Sequence, residues 1–87
     1  MWYVYILKCS DNTLYTGATN DVDRRVKDHN RKKGGSYTRA RLPVTLIYKE
    51  TLPDKSAALK REARIKSFSR VKKLELVAMR SQIPSNS

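Results

Sequence analysis

Apolar and aromatic positions crowd the start of the chain. Residues 2–9, WYVYILKC, carry a single charge among β-branched and aromatic side chains, which predicts a strand buried on both faces over much of its length. Ser10-Asp11-Asn12 is turn chemistry, because these side chains bond their own backbone. A second short strand is predicted over Thr13 to Thr16, making a hairpin. Gly17 closes it, either through a positive φ or because another group passes close to its bare backbone. Helical spacing from about Val22 to Asn30 follows, with Thr19 or Asn20 as cap and Asp21 and Asp23 at its positive end.

The rest of the chain alternates in the same way. Arg31 to Arg41, with Gly34-Gly35, is expected to be a surface loop. VTLIYKE, residues 44–50, predicts a third strand. Ser56 is placed to cap a helix from Ala57 to about Ser67, and Ser69 a last helix to about Arg80, with Val71, Leu74, Val77 and Ala78 on one stripe. The order β-β-α-β-α-α predicts an α/β chain of the α+β kind: a small three-stranded, mainly antiparallel sheet covered by three helices. One domain is expected over residues 1–81, with a disordered tail over 82–87.

Charge adds a partner class. Nineteen Lys and Arg against eight Asp and Glu give +11 on 87 residues, so the chain should attract a polyanion in a salt-dependent way. The cations cluster. Arg24, Arg25, Lys27, Arg31, Lys32, Lys33, Arg39 and Arg41 form one window, and Lys60, Arg61, Arg64, Lys66, Arg70, Lys72 and Lys73 another. The single cysteine, Cys9, reads as a small buried strand residue that can form no internal disulfide, and with one histidine it makes a structural zinc site an unpromising reading. The N-terminus reads without a basic leader, and no apolar run is long enough to span a bilayer. A cytoplasmic protein with no membrane and no obligatory protein partner is the expectation.

Helical geometry picks out polar residues on apolar faces. At about 100° per residue, Val22, Val26, His29 and Arg25 fall within roughly 100° of one another, while Arg24 points to the opposite side. Arg25 either lays its stem over the core and snorkels outward or is held for use; His29 is either a satisfied edge histidine or part of the same group. Glu62 falls between Ile65 and Leu59 on the apolar side of its helix, where a carboxylate must be paired, protonated or bound to metal. An arginine partner and a divalent cation beside a phosphate are the two alternatives. In the hairpin, a turn pairing Cys9 with Thr13 sets Leu7 opposite Tyr15 and Tyr5 opposite Gly17. Tyr5 and Tyr15 then lie diagonally on one face; a one-residue slip would separate them.

Tyr3-Val4-Tyr5, Tyr15-Thr16-Gly17, Arg25, His29 and Glu62, in this order and spacing, resemble the GIY-YIG nuclease superfamily. The likeness is to its small stand-alone, uncharacterised prokaryotic members, and it runs through LYTGATNDVDRRVKDHN, GGSYTRARLPVTLIYKE and ALKREARIK. Tyr3 stands where the superfamily has glycine and Thr16 where it has isoleucine. The resemblance implies a metal-dependent DNA endonuclease that hydrolyses phosphodiester bonds with weak sequence preference and structure-selective use in DNA repair or processing. RNA is the second candidate substrate. It also implies one Mg²⁺ or Mn²⁺ ion on Glu62, absent without substrate, with Tyr5, Tyr15, Arg25, His29 and Glu62 catalytic and Gly17 structural.

Tyr5 is then the first choice for the base, its phenolate stabilised by nearby cations, and Tyr15 the second. Arg25 holds the scissile phosphate, and His29 bonds a phosphate oxygen or relays a proton. Arg24, Lys27, Arg31, Lys32, Lys33, Arg39, Arg41, Lys60, Arg64 and Lys66 are expected to contact backbone phosphates. A nucleic-acid binding protein of the same fold with little or no catalysis is the alternative, and a small basic protein-interaction module a third reading.

Overall fold

The computed structural model of the chain describes residues 1–32 and 35–82. Two strands come first, β1 (Trp2–Lys8) and β2 (Leu14–Thr19), then helices α1 (Val22–Asn30) and α2 (Ser36–Arg39). Strand β3 (Thr45–Leu52) and helices α3 (Lys55–Lys66) and α4 (Arg70–Gln82) complete it. The sheet order is β2-β1-β3, and both pairings are antiparallel.

The near-continuous apolar run of β1 explains its central place. Val4 and Ile6 point to one side, onto Ala58 and Ile65 of α3, with Leu76 and Val77 of α4 packed against the same cluster. Tyr5, Leu7 and Cys9 point to the other side, with Val26 of α1 and Val44. The sheet therefore lies between α1 on one face and α3 and α4 on the other. Truncating the fully buried Ile65 to alanine should cost about 2–5 kcal/mol. A register shift between Ile6 and Leu7 makes Ile6 face Tyr48 and Leu7 face Leu46. The extra residue, Ile47, packs with Tyr48 against the α3 side, as a bulge allows.

Several local expectations change. β2 continues through Gly17 to Thr19, because Gly17 keeps a negative φ and can stay in the ladder. Asp21 caps α1, accepting from Arg24 N at 3.1 Å, while Thr19 Oγ1 accepts from Asp21 N at 3.1 Å. Asp54, not Ser56, caps α3, accepting from Ala57 N at 2.8 Å; both residue types suit the position, and the earlier one wins by following the Pro53 turn. The basic loop contains α2, an added helix.

On α4 the packed residues are Leu76 and Val77, whereas Val71, Leu74 and Ala78 are exposed. Spacing shows which residues share a stripe, but the neighbour decides which stripe is buried. α4 reaches Gln82, the first residue of the expected tail; the remainder of that tail and Lys33 lie outside the described residues. No helix among the described residues is long and apolar enough to cross a membrane.

Candidate functional site

The hairpin turn sets the geometry of the tyrosines. Cys9 N donates to Thr13 O at 2.9 Å, Leu7 faces Tyr15 and Tyr5 faces Gly17. Alternation then puts Tyr5 and Tyr15 on the α1 side of the sheet, with ring centroids 6.5 Å apart. His29, from the last turn of α1, meets both, its ring 6.3 Å from Tyr5 and 5.3 Å from Tyr15. Gly17 earns its place by close approach rather than by positive φ. A Cβ there would lie 2.5 Å from Tyr5 Oη and 2.6 Å from Cζ, so the Tyr5 ring lies across bare backbone.

A buried polar chain runs inward from this point. Tyr5 Oη lies 3.3 Å from His29 Nε2, His29 Nδ1 lies 2.7 Å from Thr38 Oγ1, and Thr38 Oγ1 donates to Gly35 O at 3.2 Å. His29 and Thr38 are both 0% exposed. Burial pushes the Tyr5 hydroxyl up to about 12; hydrogen bonding and charge from Arg25 oppose the rise, while the charges of Tyr15 and Glu62 add to it. In the free protein desolvation outweighs Arg25, which favours the protonated hydroxyl. His29 is held below the usual imidazole value by burial first and Arg25 second, with Asp28 opposing. The imidazole is neutral.

Arg25 is half-buried beside this group, and Arg24 is exposed. Both line one hollow of about 390 Å³ together with Thr19, Asn20, Asp21 and Asp28, so the two adjacent arginines share a concavity from different depths.

Glu62 approaches from the other side. Its helix α3 lies against β1 and β2 on the face opposite α1, yet its charge is felt at Tyr5. The side chain is 19% exposed and pairs with Lys66 Nζ at 3.3 Å, one helical turn away. The partner is a lysine rather than the arginine considered above; the neighbouring Arg61 binds Glu50 instead, at 2.9 Å. Leu59, expected on the packed side, is exposed. No group of three or more His, Cys, Asp or Glu gathers among the described residues. One accessible carboxylate fits a Mg²⁺ or Mn²⁺ ion that takes its other ligands from phosphate and water, and does not fit a closed protein-only site.

The basic residues divide between the faces. Arg24, Lys27, Arg31 and Lys32 are exposed on and just beyond α1, and Lys60 and Arg64 on α3. Arg39 donates to Lys32 O at 3.3 Å. Arg41 is more committed: its Nε meets Asp11 Oδ2 at 3.1 Å, another guanidinium nitrogen donates to Tyr37 O at 2.8 Å, and its carbon sits 4.1 Å from the Tyr37 ring centroid. Tyr37, 40% exposed, stacks on Tyr15 with centroids 6.0 Å apart. Thr38 and Tyr37 are the residues that pattern reasoning passes over. A four-residue helix carries no periodicity; the available signal is that a buried histidine requires a partner.

Comparison with known proteins bears on this arrangement. The profile of the GIY-YIG catalytic domain matches residues 1–75. A UPF0213 protein of Staphylococcus haemolyticus is 51% identical over 78 residues, 90% of this chain and 95% of the relative. One from Staphylococcus aureus is 54% identical over the same shares. Among solved structures, the solution structure of the UPF0213 protein from Bacillus halodurans is 48% identical, with a TM-score of 0.59 over 91% of this chain and 85% of that one. A protein from E. faecalis is 35% identical, with a TM-score of 0.60 over 88% and 82%.

Proposed function

The chain belongs to the family of GIY-YIG catalytic domains, and on that premise we propose that it grips a nucleic-acid backbone along α1 and hydrolyses a phosphodiester at the β2 edge of its sheet, the strand that α3 also packs against. The observation that carries this reading is the convergence of Tyr5, Tyr15 and His29 with half-buried Arg25 beside a hollow in a chain of charge +11. Binding has the broader support. Exposed Arg24, Lys27 and Arg31 on the same face suit backbone phosphates, and nothing about them favours base edges. DNA is the first choice of polymer and RNA the second, with weak sequence preference and selection by substrate shape.

Hydrolysis asks more of fewer groups. Arg25 would hold a non-bridging phosphate oxygen, a charge-assisted contact that strengthens as the transition state gains charge. Tyr5 would orient the attacking water and accept its proton while passing its own to neutral His29. Glu62 would hold the cation, and a bound Mg²⁺ or Mn²⁺ would neutralise the leaving oxygen. Tyr15, packed on His29, would keep that ring in place.

One observation favours the same fold binding nucleic acid with little or no catalysis: Glu62, the carboxylate that would hold the ion, is already engaged by Lys66. The two readings part in one experiment. The pure protein and its Glu62→Ala form are incubated with branched, nicked and single-stranded DNAs, with Mg²⁺ or Mn²⁺ and with chelator. Cleavage lost with chelator and in the variant supports hydrolysis. Equal binding by both forms with no cut strand under any condition leaves binding alone.

A further inference from the structure

We propose that Thr38 is a positioning residue that fixes the tautomer of His29, holding the ring proton on Nδ1 and leaving Nε2 as the acceptor that faces Tyr5. Thr38 Oγ1 has one hydrogen and two acceptor sites. We assign the hydrogen to Gly35 O at 3.2 Å, since a carbonyl oxygen can only accept. With the hydrogen so placed, the 2.7 Å contact with His29 Nδ1 is a bond in which Nδ1–H donates. A neutral imidazole carries one N–H, so Nε2 holds a lone pair and takes the Tyr5 hydroxyl proton across 3.3 Å. Both His29 and Thr38 are closed to bulk solvent, so the two side chains partner each other.

The reverse tautomer would put an N–H of His29 against the Tyr5 oxygen. Tyr5 would then be an acceptor there, and its proton would have no base. Thr38 therefore decides the direction of the whole chain without approaching the substrate. The charged and titratable groups around His29 are Arg25 and Asp28 on its own helix and Tyr5 and Tyr15 on the hairpin. A short buried hydrogen bond to the ring is the second-party contact that selects between ring nitrogens.

The catalytic consequence rests on the function proposed above; the tautomer does not. In that step the water oxygen bonds to phosphorus and its proton passes to Tyr5 Oη, as the Tyr5 proton moves to Nε2. The bond from phosphorus to the leaving oxygen breaks. The imidazolium then releases its extra proton, and the leaving oxygen takes one up, so charge and atoms balance.

The chain has a single histidine, so side-chain nitrogen NMR of the free protein at pH 7.5 reads His29 alone. The expected spectrum has a protonated Nδ1 and an unprotonated Nε2. Thr38→Val removes the hydroxyl at nearly constant shape, and is expected to move the proton to Nε2; Thr38→Ser should restore the original signature. An Nε2–H form in the unsubstituted protein, or an unchanged tautomer in a folded Thr38→Val, overturns the proposal. If Thr38→Val does not fold, the unsubstituted and Thr38→Ser spectra decide alone. With a cleaved DNA in hand, Thr38→Val should lower kcat about tenfold or more with little change in KM, and Thr38→Ser should recover most of it. The expected tautomers with no cleavage by any form refute hydrolysis and leave the role of Thr38 standing.

Discussion

Replacing Gly17 with alanine tests whether the Tyr5 ring is held where the structure puts it. The added Cβ would stand 2.5 Å from Tyr5 Oη, 2.6 Å from Cζ and 3.1 Å from Cε1, so the ring must be displaced or β2 must bend. Forcing one carbon into a packed site costs about 1–3 kcal/mol. Moving Oη also breaks its bond to His29 Nε2, worth about 0.5–1.5 kcal/mol net. Against this, alanine is better than glycine inside a strand by roughly 0.5–1 kcal/mol. The balance is a destabilisation of about 2 kcal/mol, or roughly 8–16 °C in Tm for a domain of this size.

The decisive assay is a double-mutant cycle in urea. In a Tyr5→Ala background the obstacle is absent, so Gly17→Ala should become neutral or stabilising by up to about 1 kcal/mol. A coupling energy of about 2–3 kcal/mol between the two positions is expected. Equal cost of Gly17→Ala in both backgrounds would refute the close approach, and would return the glycine to a backbone role that its negative φ does not support.

Four further outcomes follow from the same geometry. Arg25→Ala should abolish cleavage of any substrate found while costing only part of the DNA affinity, whereas Arg24→Ala should leave the cleavage step largely intact and lower the salt slope of binding by up to about one unit; rates at saturating enzyme beside affinities over a salt series separate them, and an active Arg25→Ala enzyme ends the mechanism. Because His29 is depressed below its unfolded value by burial and Arg25, stability should be fully present above about pH 6.5 and fall as pH drops toward the folded value; His29→Gln should flatten that slope in pH-dependent urea melts. Titrating Mg²⁺ or Mn²⁺ into the free protein should move amide signals near Glu62 weakly and those near Asp21 and Asp23 less, with Lys66→Ala strengthening the response by freeing the carboxylate; the opposite ranking would show that another carboxylate holds the ion. Tyr5→Phe should keep the ring packing and bring stability down by about 0.5–1.5 kcal/mol through the lost hydrogen bond, and it should leave DNA affinity unchanged in a filter or anisotropy assay.

What the sequence made legible were the parts governed by period and spacing. Alternation in residues 2–9, with a short turn of fixed length, was enough to put Tyr5 opposite Gly17 and Tyr15 on its face. The 3.6-residue repeat was enough to separate Arg24 from Arg25 and to align His29 with the packed side. Choices between equivalent local signals were not legible. Asp54 and Ser56 are both good caps two residues apart, and only the path out of β3 selects the first. Nor could spacing assign Glu62 to Lys66 and Arg61 to Glu50, since both arrangements place an acid beside a base. Thr38 escaped because its partner is set by how α2 folds back onto α1. The direction of the Tyr5 shift was not legible either: cations can be counted along a chain, but the desolvation that opposes them depends on burial.

The sheet that separates α1 from α3 also fixes the valence of the molecule toward a long polyanion. A helix packs roughly 10 Å from the layer it covers, so the cations of the two helices stand on the order of 20 Å apart across a molecule 27 Å through its shorter axes. That is about two Debye lengths at physiological salt, far enough for Arg24, Lys27 and Arg31 to capture one segment while Lys60 and Arg64 capture another. Binding nucleic acid as proposed, such a particle would act as a bridge. Mixed with DNA at intermediate ratios it should cross-link separate duplexes into turbid networks, and these should dissolve when either component is in excess or salt is raised.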